Sequence, residues 1–292
     1  MRERFTAVDV FIYLLLALLG ASILFAFQHL LSLSLSPSWV ATKGGIHLIP
    51  VELTLDNYRK VLESQYIWQG YQNTLIRTVA GTLLQLFVTA LGAYTLSKKF
   101  YPHRSFWTFL IVFTMFFSGG LIPTYILVVN LGLMDKYAAM ILPGLVSAYN
   151  LIILRNYFMS LPEEIEESCM IDGAGRFRIF FRIVLPLSKP ILATVALWLA
   201  VGHWNAWFDV LLYMTKDSMF TLQIVLRRII ISGTQQMLDL NITSELLQSQ
   251  VQYSPEGVKA AAIFVATLPI LCVYPFIQKY FVKGIMIGSL KG

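Results

Sequence analysis

Charge is what this chain has least of: 13% of its 292 residues are Asp, Glu, Lys or Arg, where an ordinary soluble domain carries about 25%. Hydrophobic residues make up 57% and mean hydropathy is +0.68, which excludes a plain soluble domain and points to a membrane protein. Cysteine is nearly absent. Cys169 and Cys272 each lie within or beside an apolar segment, so neither a disulfide framework nor a cysteine zinc site is supported. The histidines, His29, His47, His103 and His203, are scattered, without an HExxH pattern or paired carboxylates, and no metal or hydrolytic centre is expected. A Gly-x-x-x-x-Gly-Lys-Ser phosphate loop is missing too, so the chain is not expected to bind ATP, to carry a cofactor or to be an enzyme by itself. The net charge of +6 is read by position along the chain, not as a footprint for nucleic acid.

What is present in abundance is long charge-free intervals. They run from Val10 to Thr42, Thr78 to Ser97, Ser105 to Met134, Tyr137 to Leu154, Pro190 to Phe208 and Ala260 to Gln278. Each reaches the roughly 18 residues that a helix needs to cross a bilayer. The expectation is an all-α membrane protein of six transmembrane helices in a lipid bilayer. Met1-Arg2-Glu3-Arg4 before an apolar run has the look of a signal peptide, but the run is too long for one, and an uncleaved first helix is expected. Six spans place both ends on one side. Arg2 and Arg4, Lys98, Lys99 and Arg104, Arg155, Arg176, Arg178, Arg182 and Lys189, and Lys279, Lys283 and Lys291 all fall on that side, whereas the short opposite loop, Leu131 to Lys136, has one basic residue. By the positive-inside rule that side is cytoplasmic.

One charged island interrupts the apolar pattern, Leu161 to Pro190, LPEEIEESCMIDGAGRFRIFFRIVLPLSKP. Pro162 suits a first helical position, the acids crowd the first turn, and Gly173 can adopt the backbone angles that end a helix. A second helix is expected to carry Phe177, Phe180, Phe181 and Val184 on one face until Pro186 stops it. Two such short amphipathic helices cannot bury themselves alone and need a partner groove or a membrane surface.

The order Glu-x-x-x-x-x-Gly, nine residues, then Ile-x-Leu-Pro, here Glu167, Gly173, Ile183, Leu185 and Pro186, resembles the EAA loop of binding-protein-dependent ABC importer permeases. Ser168 and Cys169 stand where that family has two alanines; both are small, and Asp172-Gly173-Ala174 keeps the fuller pattern. Outside the loop, AYTLSKKFYP, IPTYILVVNLGLMDKY and ILRNYFMSLPEEIEES are similar to the carbohydrate branch of that family, the maltose-type second permease. The resemblance implies the type I ABC importer permease fold, with the EAA helices cytoplasmic. Residues 1–72 would be an N-terminal helix and external segment, 73–285 the permease core, and 286–292 a cytoplasmic tail. Within the core, 161–190 is the coupling loop and 215–255 an external loop that meets a docked binding protein.

Implied partners are a second permease subunit, two ATPase subunits that hydrolyse the ATP, and an extracytoplasmic solute-binding protein. Implied ATPase-coupling residues are Glu167, Ser168, Cys169, Asp172, Gly173, Ala174, Phe177, Ile183, Leu185 and Pro186. The ending Gly284-x-x-x-Gly288-x-x-Lys291 is similar to a tail that touches the ATPase. The substrate class implied is an oligosaccharide, uronide-containing and host-glycan chains included; a peptide or another polar solute is the runner-up, and a six-span channel or structural subunit the reading from another class.

Pathway residues are less determined. Gly119, Gly120 and Pro123 in a third helix, Ser105 to Asn130, fit either a packing kink or a pathway wall. A fourth helix runs from Ala138 to Met159. In a fifth helix, Pro190 to Met214, His203 and Asn205 are expensive against lipid and are expected to face inward. Asp209 is expected at the outer interface, and Trp204 and Trp207 fit an aromatic belt or a substrate-facing role.

Overall fold

A computed structural model of the chain describes residues 7–37, 39–40, 45–232 and 256–272, and all regular structure among them is helical. Contacts divide it into two compact units, one from positions up to Trp68 and from Val225 to Pro269, the other from Gln69 to Ile224. In the first unit, α1 (Ala7–Ser34) ends where Asn57 of α2 (Asp56–Glu63) donates from its side-chain amide to the carbonyls of Ser34 and Ser36, at 3.1 and 3.0 Å. Tyr58 and Ser34 add a hydroxyl pair at 2.8 Å. Helix 256–272 packs tightly here: a Cβ on Gly257 would stand 2.8 Å from the Asn57 side chain, and Phe264 meets Phe27 edge-on.

The second unit is organised around α3 (Gln65–Ser97), whose 33 residues extend about 50 Å at 1.5 Å per residue. It begins two turns before Asn73, where the sequence reading starts it, because no residue from Gln65 onward breaks the helix. α3 is apolar on the outside and polar within. Leu75, Ile76, Val79, Leu83 and Phe87 are exposed, while Asn73, Arg77, Gly81, Gln85 and Thr89, spaced by four, are buried. Four-residue spacing puts them in one row along the helix.

That row meets the breaks in the other spans. Three of the charge-free intervals read as single helices, those that begin at Ser105, Tyr137 and Pro190, are broken into two helices. α4 (Arg104–Phe116) and α5 (Leu121–Asn130) are bent by 110° where Gly120 takes a φ of 90°. α6 (Tyr137–Ile141), with a tight turn through Gly144, meets α7 (Ala148–Met159) at 56°. α10 (Lys189–Asn205) ends at Ala206, which is extended, before α11 (Phe208–Tyr213). α12 (Leu222–Ser232) follows. Absence of charge reports length and depth but is blind to direction, and so these bends were invisible to it.

In a bilayer the carbonyls freed at such breaks find no water and must be paired within the protein. Arg77 donates to the carbonyls of Ala206 and Met140, 3.4 Å each, and forms a part-buried ion pair with Asp209. Gln85 donates from its amide nitrogen to the Gly144 carbonyl at 2.7 Å, and its amide oxygen accepts from the His203 ring at 3.1 Å. Asn73 donates to the carbonyls of Ser218 and Phe220 and receives the Tyr137 hydroxyl at 2.6 Å. Gly81 belongs to the row for want of a side chain: a Cβ there would stand 2.6 Å from the His203 ring.

Asp209 is therefore no free interfacial carboxylate. Asn205, expected to face inward, is exposed and turns its amide back to the Val201 carbonyl at 2.9 Å. Trp204 is buried, edge-on to Tyr71, whereas His203 does face the interior.

At the turn between α5 and α6, Asp135 has a left-handed φ of 56°. Its carboxylate accepts the Thr215 hydroxyl at 2.6 Å and the Thr215 amide at 2.7 Å. These bonds hold the Asp135 carboxyl below its ordinary 3.8.

Two outcomes are expected. Arg77→Leu leaves Asp209 unpaired and lowers unfolding stability by about 3 kcal/mol, and adding Asp209→Leu recovers much of the loss, read as heat-unfolding midpoints of the purified protein in detergent. For Asp135 the depressed pKa means that the contribution is present above the ordinary 3.8 and fades as pH falls below it. The gap in heat stability between the native chain and Asp135→Asn, open at neutral pH, should accordingly close in strong acid.

Candidate functional site

The charged island folds as an elbow. α8 (Glu163–Ile171) starts one residue later than the proline rule places it: Pro162 is the extended residue before the helix rather than its first. Three acids, Glu163, Glu164 and Glu166, occupy the first turn, where the helix dipole favours them. The helix closes with two reversed bonds, Ala174 N–H to the Cys169 carbonyl at 2.9 Å and Gly173 N–H to the Met170 carbonyl at 3.0 Å. This is the Schellman arrangement, and it requires the left-handed residue that Gly173 supplies at φ 77°. No atom lies within 4 Å of where a Gly173 Cβ would be, so backbone angle and not space selects glycine.

α9 (Arg176–Leu187) departs from expectation in two ways. Residues Phe180–Val184 form a π-helical turn, and helix continues through Pro186 to Leu187 before an 83° bend at Ser188. The widened turn is the physical reason: proline clashes with the preceding turn of a regular α-helix, and an i→i+5 pattern relaxes that crowding. The same widening re-sorts the aromatic residues. Ile179, Phe180 and Val184 are buried, while Phe177 is 72% exposed and Phe181 is 48% exposed, so the four residues expected on one face are divided between two.

The inner face of the elbow rests on one apolar cluster with Tyr94 of α3, Leu154 and Phe158 of α7 and Val195 of α10. Cys169, Ala174, Ile183 and Leu185 pack against it. Glu167, Ser168, Asp172 and Pro186 face outward. At the tip, Ile171 is 87% exposed, beside Met170 and Phe177. An exposed apolar tip flanked by acids on one helix and by Arg176 and Arg178 on the next is a surface shaped to be held, with no arrangement for bond-making chemistry.

Two features escaped the sequence reading. Glu166, the neighbour of Glu167, is 6% exposed and points inward, where Lys98 Nζ is 2.5 Å from one carboxylate oxygen and the Tyr94 hydroxyl donates to the other at 3.2 Å. Arg155 of α7 caps the end of α3 by donating to the Leu96 carbonyl at 3.1 Å. The spacing of Glu163 and Glu166, both directed at Lys98-Lys99, was the available signal.

Of the pathway candidates, Gly120 and Pro123 are exposed at the α4–α5 bend, Asn205 is exposed, and Asp209 is tied to Arg77; the structure does not gather them into one site. Gly284, Gly288 and Lys291, and most of the 215–255 segment, lie outside the described residues.

Residues 104–287 match the family described as binding-protein-dependent transport system inner membrane component. Protein LplC of Bacillus subtilis (strain 168) is 42% identical over 97% of this chain and 95% of its own length. The polygalacturonan/rhamnogalacturonan transport system permease protein YtcP of the same organism is 40% identical over 97% of this chain and 98% of its own. Among solved structures, a bacterial ABC transporter involved in the import of the acidic polysaccharide alginate is similar with a TM-score of 0.88 and 32% identity, covering 96% of this chain and 99% of that one.

Because open space surrounds Gly173, a substitution there should act through φ alone. Gly173→Val is expected to cost about 1–2 kcal/mol at the helix end, and Gly173→Asn less. Hydrogen exchange at the Gly173 and Ala174 amides would report the difference as faster exchange in the valine variant.

Proposed function

The chain belongs to the family of binding-protein-dependent transport system inner membrane components, and from that premise we propose that it is the permease subunit of an ATP-driven importer carrying an acidic, uronide-containing oligosaccharide. Support for the substrate class comes from YtcP, named for polygalacturonan and rhamnogalacturonan, and from the structure named for import of the acidic polysaccharide alginate. Two long helices and three bent pairs account for up to five spans, and the segment that begins with helix 256–272 would be the sixth. With six spans both termini and the elbow are cytoplasmic, where the basic residues cluster.

In this reading the elbow is the coupling element, and its partners are two ATPase subunits, a second permease and an external solute-binding protein. Glu167 offers an outward carboxylate to the ATPase, while Ile171 and Phe177 enter its cleft. Gly173 permits the reversal between the two helices. Ser168, Asp172 and Pro186 face the same neighbour, and Cys169, Ala174, Ile183 and Leu185 keep the elbow seated. The tail residues Gly284, Gly288 and Lys291 would touch the ATPase as well. Closure of the ATPase dimer on ATP carries the elbow with it and shifts the spans between inward-facing and outward-facing states. A nearly complete swing takes about 5.5 kcal/mol of differential binding, more than a loosely held loop could convey. Gly120 and Pro123, at a bend, are the residues proposed to line the route.

The exposed apolar tip on a charged elbow is the observation that carries the coupling role. Its test is the purified complex in proteoliposomes with labelled oligogalacturonide. Gly173→Leu should leave the chain inserted and abolish substrate-stimulated ATP hydrolysis; normal stimulation in that variant would overturn the assignment. Uptake of neutral maltodextrin but not oligogalacturonide would overturn the acidic substrate.

A further inference from the structure

We propose that the Lys98–Glu166 ion pair, clasped by Tyr94, is the joint through which displacement of the elbow is delivered to α3, an inference that rests on the elbow's being the ATPase-coupling element. α8 directs two carboxylates at two consecutive lysines, yet the two pairs are unlike. Lys99–Glu163 is exposed, 75% and 60% at the side chains; such pairs contribute little. Lys98–Glu166 is withdrawn from solvent, 15% and 8%.

A buried pair is weak evidence for stability, since well-packed apolar side chains would hold the same place as firmly. What it adds is direction. Aliphatic surfaces slide past one another at little cost, whereas a carboxylate with both oxygens engaged, one by Lys98 and one by Tyr94, resists displacement in every direction. Tyr94 gathers the rest of the elbow's root: its ring lies 5.0 Å from that of Phe180 on α9, 6.3 Å from that of Phe158 on α7, and under Lys98 Nζ at 4.8 Å.

The other half of the joint's consequence lies along α3 itself. About 31 Å from Lys98, at 1.5 Å per residue, the same helix holds the broken spans through Arg77 and, nearer, through Gln85. A rotation or shift imposed on α3 at Lys98 therefore acts on the carbonyls at Ala206, Met140 and Gly144, where the spans bend. Lys98 and Glu166 are positioning residues: neither faces the ATPase, and neither is placed on the solute's route.

The experiment uses the complete complex in proteoliposomes, with oligogalacturonide as the probe. Glu166→Gln and Lys98→Met should copurify with the ATPase in native amounts and keep basal ATP hydrolysis, while uptake falls about tenfold. Lys98→Arg, which keeps the cation, and the exchanged pair Glu166→Lys with Lys98→Glu should recover uptake, a rescue that loss of fold would not allow. Native uptake by Glu166→Gln would overturn the joint. So would loss of ATPase association that the exchanged pair does not restore, since the pair would then only keep the elbow folded. If the unsubstituted complex neither bound an ATPase nor hydrolysed ATP, the permease reading would fall and the joint with it, and the defect would be distinguishable because it appears without any substitution.

Discussion

A helix broken inside a bilayer leaves peptide groups with no water to bond, and in this chain one helix answers for them at two of the breaks. α3 turns its apolar side chains outward and its amides and guanidinium inward, the reverse of a helix in a soluble protein. Arg77 and Gln85 reach carbonyls at two separate breaks, and Asn73 holds the segment that leads into α12. Buried polar groups so satisfied are costly to disturb one at a time. Those two breaks, after Gly144 and at Ala206, can then be held without being loose, which is the mechanical condition for spans that have two arrangements rather than a continuum.

The far end of the same helix meets the elbow. Lys98 and Tyr94 hold Glu166 and the root of α9, Arg155 closes the last turn of α3, and Ile171 at the tip is 87% exposed among the described residues. The elbow is thus firmly anchored at one end and exposed and apolar at the other. A lever needs that division, and a loop that merely lay on a membrane surface would need neither the buried ion pair nor the Schellman turn.

Much of this could be read from residue order. The glycine turn followed from Asp172-Gly173 between two helical patterns, and the structure puts Gly173 at the left-handed φ that such a turn demands. The apolar, all-helical character of the described residues followed from where charge is missing. Of the bends, the one at Gly120 had a signal in Gly119, Gly120 and Pro123, for which a kink was one of two readings; hydropathy has no direction, and the break at Ala206 has no proline or glycine to announce it. Nothing local marks Arg77 as the partner of Asp209, which is 132 residues away. Glu166 was passed over for Glu167 although one step along a helix turns a side chain by about 100°. That rotation separates the buried carboxylate from the exposed one. Pro186 was expected to end α9, and only the π-helical turn before it explains why the helix runs on.

The central claim is that a nucleotide-driven subunit grips the exposed tip on the cytoplasmic side. Replacing Ile171, the most exposed residue of the tip, by a photo-crosslinking amino acid and irradiating intact cells tests it most directly. The account predicts a covalent adduct with an ATP-binding subunit. An adduct with an extracytoplasmic protein, or none beyond lipid, would contradict it.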